Sequence, residues 1–266
     1  IKAAFEAQKE RLNEVKAVAD TFGASHLEDV YDPATQTSSK VEYRTSQYDN
    51  ITTYIITQLG NLANAHDDVI LTENDVEGAT DNVSAQILQY EKTVKYDEAK
   101  HTWLANLLQK YNDARSALMD NSNDGLSYAE TRYDDLWNRL NNVEEAYNWA
   151  YYYNVMAYNY DYVYYDIDGN DIRVYNEQTG SFEPVSVDYI AVAWPAVKAK
   201  VELLLADVEQ ISKDINDWAF VLGDIDNDKM VTVNDYSTVR NWILTSTGYE
   251  DENLTENQRF AGDVNG

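Results

Sequence analysis

Cysteine is absent from the 266 residues, which excludes a disulfide framework, a thiolate nucleophile and a cysteine zinc site. Only 3 prolines and 10 glycines punctuate the chain, a scarcity that favours long uninterrupted helices over many tight turns. Basic residues are also few: 20 Lys and Arg stand against 47 Asp and Glu, a net charge of -27. Such a chain repels phosphate backbones and anionic lipid, so nucleic acid and membrane surfaces are poor partners and cations good ones. Most of the scattered carboxylates serve solubility. The longest apolar run, Tyr189–Val197, falls far short of the ~20 residues a bilayer span needs, so no membrane insertion is expected. No signal peptide is visible, and Ile1 opens directly into helical sequence; the sequence is read as a fragment lacking its natural start. Recognisable catalytic patterns are missing too. His26, His66 and His101 have no partner at metal-ligand spacing, and there is no G-x-S-x-G, phosphate loop or dinucleotide fingerprint. Carboxylate neighbours such as Asp134-Asp135 and Glu144-Glu145 do not face each other on a helix and identify no glycosidase pair. No enzyme is expected.

What is present is helical periodicity over most of the chain. Phe5, Leu12, Val15, Val18 and Phe22 mark a first helix over 1–22, with Gly23 as its C-cap signal. After a loop over 24–37 containing Asp32-Pro33, a second helix is predicted from Ser38 to Ala65, and a polar loop follows over about 66–80. A third runs from Asp81 to Met119 through Ile87, Val94, Trp103 and Leu107. Ser127 reads as the N-cap of a fourth, with Glu130 completing a capping box, and this helix extends to Tyr160. A fifth covers about Asp188–Phe220, where Pro195 marks either a kink or the true first turn. Between the last two the period changes. Tyr162–Ile167, Ile172–Tyr175 and Ser181–Val187 read as short strands joined by turns at Asp168-Gly169-Asn170 and Gln178-Thr179-Gly180. The fold class is therefore mainly α: an elongated antiparallel bundle of about five long helices over 1–219, with a small β-hairpin or meander inserted at 162–187.

The strongest chemical signal lies at 224–235, which reads Asp-Ile-Asp-Asn-Asp-Lys-Met-Val-Thr-Val-Asn-Asp. Calcium wants six to eight hard oxygens, and alternate residues of a tightly wound 12-residue loop supply them. Asp224, Asp226 and Asp228 fill the first, third and fifth places, and Asp235 the twelfth. Met230 would give its backbone carbonyl, and Thr232 would reach the ion directly or through water. Val231 would pack inward. Lys229 stands where a glycine usually makes the sharp turn. Helical sequence follows Asp235, and Gly262-Asp263-Val264-Asn265-Gly266 repeats the opening Gly223-Asp224-Ile225-Asp226.

This duplicated loop-and-helix arrangement over 220–266 resembles the dockerin family, whose two repeats each bind calcium. The resemblance implies that Asp263 and Asn265 are first and third ligands of a second, truncated site. It also implies anchoring: dockerins plug into cohesin modules and attach extracellular components, often of polysaccharide breakdown, to a scaffold or cell surface. Val233 and Asn234 occupy the tenth and eleventh loop places, where a Ser-Thr-like pair helps choose the cohesin, so a standard specificity is not implied. Capping of the neighbouring helices within the same chain is the other use.

Weaker signals surround this one. Asp166-Ile-Asp168-Gly-Asn170-Asp171, with Glu177, scans as a calcium loop but is better read as a hairpin turn because strands flank it. Asp120–Gly125 is better read as a helix connector. Tyrosine numbers 22, and Tyr158, Tyr160, Tyr162 and Tyr164 lie in its densest stretch. Aromatics at helical spacing mostly fill cores, yet these are the ring faces that would contact a glycan or a surface protein. The expectation is a noncatalytic, bacterial extracellular or cell-surface protein with Ca2+ as its cofactor and a cohesin-like partner. A glycan- or host-protein-binding module and a component of a polysaccharide-degrading system are the alternatives.

Overall fold

The computed structural model describes residues 2–25, 27–42, 53, 57, 60, 73–123, 125–226, 228, 230–245 and 255–262. The chain is mainly helical, with few short strands. In order it forms α1 (Lys2–Ser25), β1 (Leu27–Asp32), β2 (Thr37–Glu42), α2 (Glu73–Glu98), a π-helical segment (Ala99–Leu104), α3 (Ala105–Asn123), β3 (Leu126–Ser127) and α4 (Glu130–Tyr160). It continues with β4 (Tyr162–Val163), β5 (Val174–Asn176), β6 (Ser181–Glu183), β7 (Val185–Ser186), a second π-helical segment (Tyr189–Ala193), α5 (Trp194–Trp218), β8 (Phe220–Val221), α6 (Val233–Thr245) and α7 (Glu256–Gly262). Two compact units divide it, one of residues 1–104, 151–166 and 170–198, the other of 105–150, 167–169 and 199–266. No described helix is long and apolar enough to cross a membrane.

In the first unit α1 packs on α2. Leu12, Val15 and Ala19 form one buried cluster with Val83, Ile87, Tyr90 and Val94, each set spaced three or four apart as a single helical stripe requires. Gln8 donates to Ser84 Oγ at 2.6 Å across the same seam. Val18, expected on this face, is exposed, because the buried stripe passes through Ala19; the helix also runs past Gly23 to Ser25.

The predicted loop at 24–37 and the start of the predicted second helix are corrected. β1 and β2 pair antiparallel from Leu27↔Glu42 to Asp32↔Thr37. Asp32 makes the turn, accepting from Ala34 N at 2.8 Å and from Thr35 Oγ1 at 3.0 Å. Asp-Pro opened a hairpin rather than a connector. Helix is present at residues 53, 57 and 60; the remainder of the predicted Ser38–Ala65 helix beyond Glu42 lies outside the described residues.

The inserted β region is also organised differently from a meander. β4 pairs with β7 and β5 with β6, as two separate two-stranded sheets, with an isolated bridge at Tyr165↔Asp171. The second turn closes the β5–β6 hairpin, whose Tyr175 and Phe182 lie opposite each other with ring centroids 5.3 Å apart. Beside it Arg173 donates to both oxygens of Asp171, and these side-chain bonds, with the Arg173 N–H, lower the Asp171 carboxyl to about 2. A depressed native value means the pair supports the hairpin above the ordinary carboxylate range and is lost as pH falls toward about 2. Carboxyl NMR titration should therefore place Asp171 near that value, and Arg173→Gln should raise it only part of the way to the ordinary ~3.9, because the backbone N–H of residue 173 still donates to it.

In the second unit three helices each bury one stripe: Leu107, Tyr111, Ala114 and Leu118 on α3; Leu136, Leu140 and Val143 on α4; Val201, Leu204, Val208, Ile211 and Ile215 on α5. Polar ties set their register. Tyr111 OH donates to Glu144 at 2.9 Å, and buried Asp214 accepts from Arg139 and from Gln210, each at 2.7 Å. A buried carboxylate is tolerable only when its charge and lone pairs are met in this way. Ser127 is not the N-cap of α4. It pairs with Phe220 in the β3–β8 ladder, and Ala129 O accepts the first helical N–H groups instead.

Candidate metal centre

The centre lies in the second unit, between β8 and α6. Gly223 has φ +94, a left-handed conformation that favours glycine, and it turns the chain out of β8. Asp235 then organises the loop. Its Oδ1 accepts from Ile225 N at 2.7 Å and from Asp226 N at 3.2 Å, and its Oδ2 from Thr232 N at 2.6 Å. Thr232 Oγ1 accepts from Asn234 N at 3.1 Å. Thr232 and Asp235 thus form a capping box at the N-terminus of α6. The twelfth loop residue therefore faces the loop because helix formation puts it there.

Asp224, Asp226 and Asp235 each offer a carboxylate oxygen, and these atoms all lie within 4.8 Å of one another. Asp224 and Asp235 are each only 3% exposed. Loss of hydration, then the charges of Asp228 and Asp235, push the Asp226 carboxyl up. The Asp235 carboxyl is held down instead, first by the Thr232 N–H. Converging, partly dehydrated carboxylates suit a hard divalent cation, and an all-oxygen donor set suits calcium. By donor chemistry these three residues could hold such a cation, with magnesium and manganese suited as well as calcium.

The other expected ligands are distributed differently. Asp228 is not among the three converging groups; its Oδ1 accepts from Met230 N at 2.9 Å. Its own N–H donates to Asp224 Oδ1 at 3.1 Å, which winds the loop. The Met230 side chain is exposed, as is Val231, which was expected to pack inward. Ile225, the second loop residue, is buried in that role instead, in a cluster with Phe220 and Ala261. Lys229, Asp263 and Asn265 lie outside the described residues. Four further contributors were not anticipated: Ile225, Gln258, Phe260 and Arg132; Gln258 reaches Ile225 across 33 positions and Arg132 reaches Asn257 across 125. The capping-box spacing Thr255–Gln258 was the one sequence signal for α7.

Asp168 is paired with Lys200 at 2.6 Å, Asp171 with Arg173, and Asp166 accepts from Asn170 N at 2.8 Å. Of the tyrosines, Tyr158 stacks on Tyr96 at 4.0 Å and meets Tyr189 edge-on, a packing role. Tyr160 is exposed, and Tyr160, Tyr162 and Tyr164 follow one another with centroid separations of 5.5 and 5.7 Å. No family model, no curated protein and no solved structure matches the chain.

Proposed function

We propose that this is a noncatalytic extracellular protein whose dockerin-like segment, 220–266, binds calcium through Asp224, Asp226 and Asp235 and is carried on an elongated antiparallel helical bundle. The carrying observation is the convergence of those three carboxylates at the start of α6. Bound calcium supplies the positive charge that three adjacent carboxylates lack. The chain's own part is to hold Asp235 by helix capping, Asp224 by burial, and Asp226 against its neighbours' repulsion.

Docking is supported by the outward face of α6. Val233, Tyr236 and Leu244 are 74%, 68% and 69% exposed, and their spacing of three and eight residues places them on one stripe with exposed Arg240. Such a stripe suits a cohesin-like protein partner. Calorimetric titration of calcium into chelator-treated protein tests the reading. One site is expected, lost in Asp224→Ala; no heat of binding in the unaltered protein would refute it.

A second reading rests on Tyr160, Tyr162 and Tyr164, whose successive rings suit stacking on a glycan. If it holds, Tyr160→Ala weakens binding to a glycan array hit by tenfold or more.

A further inference from the structure

The last described helix, α7, is attached to the ends of α4 and α5 by side chains that also reach the loop at 224–235. Gln258 is the joint. Its Oε1 accepts from Thr255 N and Thr255 Oγ1, both at 2.9 Å, closing the capping box that starts α7. Its Nε2 donates to Ile225 O at 2.8 Å. Ile225 in turn donates its N–H to Asp235 Oδ1 at 2.7 Å, and its side chain is buried with Phe220 and Ala261. A second tie runs in parallel, from Gly223 N to Ala261 O at 2.8 Å. Ile225 of the loop therefore touches Asp235 on one side and α7 on the other.

The far side of α7 is held by Arg132 of α4. Its guanidinium donates to Asn257 Oδ1 at 3.0 Å, pairs with Glu256, and lies 5.2 Å from the Trp218 ring and 5.5 Å from Phe260. Asn257 Nδ2 donates to Asp217 O at 2.6 Å, taking up a carbonyl at the end of α5. Phe260 stacks on Phe220 at 6.0 Å. A free docking module would turn a polar face to its neighbour, whereas here a cation, the rings of Trp218, Phe220 and Phe260, and the Asp217 carbonyl are committed within the chain.

We infer that occupation of the 224–235 loop and seating of α7 on the ends of α4 and α5 are coupled through Ile225 and Gln258, so that calcium closes an intramolecular clasp. This rests on the proposed calcium site. Linkage is reciprocal: whatever calcium adds to the seating of α7, the seating of α7 adds to calcium affinity. Arg132 is not a ligand, and removing its positive charge would by electrostatics alone favour a cation, so a loss of calcium affinity passes through the clasp.

Hydrogen–deuterium exchange on the full chain, in saturating calcium and in chelator, is the first test. Amides of 256–262 are expected to exchange at least tenfold more slowly with calcium. Calorimetry on Arg132→Ala and Gln258→Ala is the second, with a fivefold or greater loss of calcium affinity expected in each. If calcium binds but exchange at 256–262 is the same in both conditions, the clasp is wrong and the calcium site stands. If calcium binds to both variants as to the unaltered protein, the coupling is likewise overturned. If the unaltered protein takes up no calcium, the site itself is overturned and the clasp falls with it. Comparing the unaltered protein's exchange with and without calcium needs no variant to fold.

Discussion

Asp235→Ala is expected to abolish measurable calcium binding and also to loosen the metal-free loop, whereas Asp226→Asn should weaken calcium binding while making the metal-free protein more stable. The two carboxylates share one candidate centre but stand in opposite environments. Asp235 accepts three backbone N–H groups, from Ile225, Asp226 and Thr232, and its carboxyl is held below the ordinary range. Its charged form is the one the fold prefers, so its stabilisation is present above the ordinary carboxylate range and fades as pH falls through the depressed value. Removing it leaves the N–H groups without their acceptor and α6 without its capping box. Asp226 is raised by lost hydration and by Asp228 and Asp235. The fold prefers its neutral form, so stabilisation is present at low pH and fades as pH rises through the raised value; a neutral asparagine relieves that repulsion permanently. Altering a metal site's supporting partners commonly lowers affinity ~10–100-fold, and removing a ligand should do at least as much. Thermal unfolding in chelator separates the two: the melting temperature falls in Asp235→Ala and rises in Asp226→Asn. Calorimetry in calcium should show affinity lost in both. A rise in neither condition for Asp226→Asn would mean that the carboxylate cluster is not under electrostatic stress.

The parts of this molecule written in local spacing were legible in sequence. Leu12 and Val15, Ile87 and Val94, and Val201 through Ile215 repeat at three, four or seven residues, and helices cover them, although α2 begins at Glu73, within the predicted loop over 66–80, and a π-helical segment at Ala99–Leu104 interrupts the predicted Asp81–Met119 helix. The spacing Asp224, Asp226, Asp235 was equally local, since a 12-residue loop brings its own ends together. What was misjudged depended on partners far along the chain. Val41 could be fitted to a helical stripe with Tyr48, but its strand exists because Val41 pairs back to Glu28. Ser127 had the right spacing to Glu130 for a cap, yet its backbone is taken by Phe220, ninety-three positions on. β4 pairs with β7 across the whole insertion, a choice that alternation of apolar residues cannot encode, because every strand there alternates. Arg132 was one cation among twenty; nothing near it in sequence announces Trp218, Asn257 or Phe260.

Gly169→Ala should be among the most damaging small substitutions in the second unit, costing about 2–4 kcal/mol through positive-φ strain and overpacking. Two effects combine. Gly169 has φ +85, where a side chain of L configuration is strained. A Cβ there would also stand 2.4 Å from Trp149 Cε2 and 2.6 Å from its Nε1, closer than van der Waals contact permits. The indole is a rigid plane, so relief requires rotating the whole ring or shifting the turn. Gly125 isolates the backbone effect: its φ is also +85, but a Cβ there meets nothing within 4 Å. Gly125→Ala should therefore cost only about 1 kcal/mol, the strain alone. At roughly 2–4 °C per kcal/mol for a chain of this size, Gly169→Ala should lower the melting temperature by about 4–16 °C and Gly125→Ala by about 2–4 °C. Displacement of the ring should also shift the tryptophan emission in the first variant and not the second. Equal losses in the two variants would show that Trp149 yields freely, and that the turn at Asp168–Asn170 uses its glycine for conformation alone.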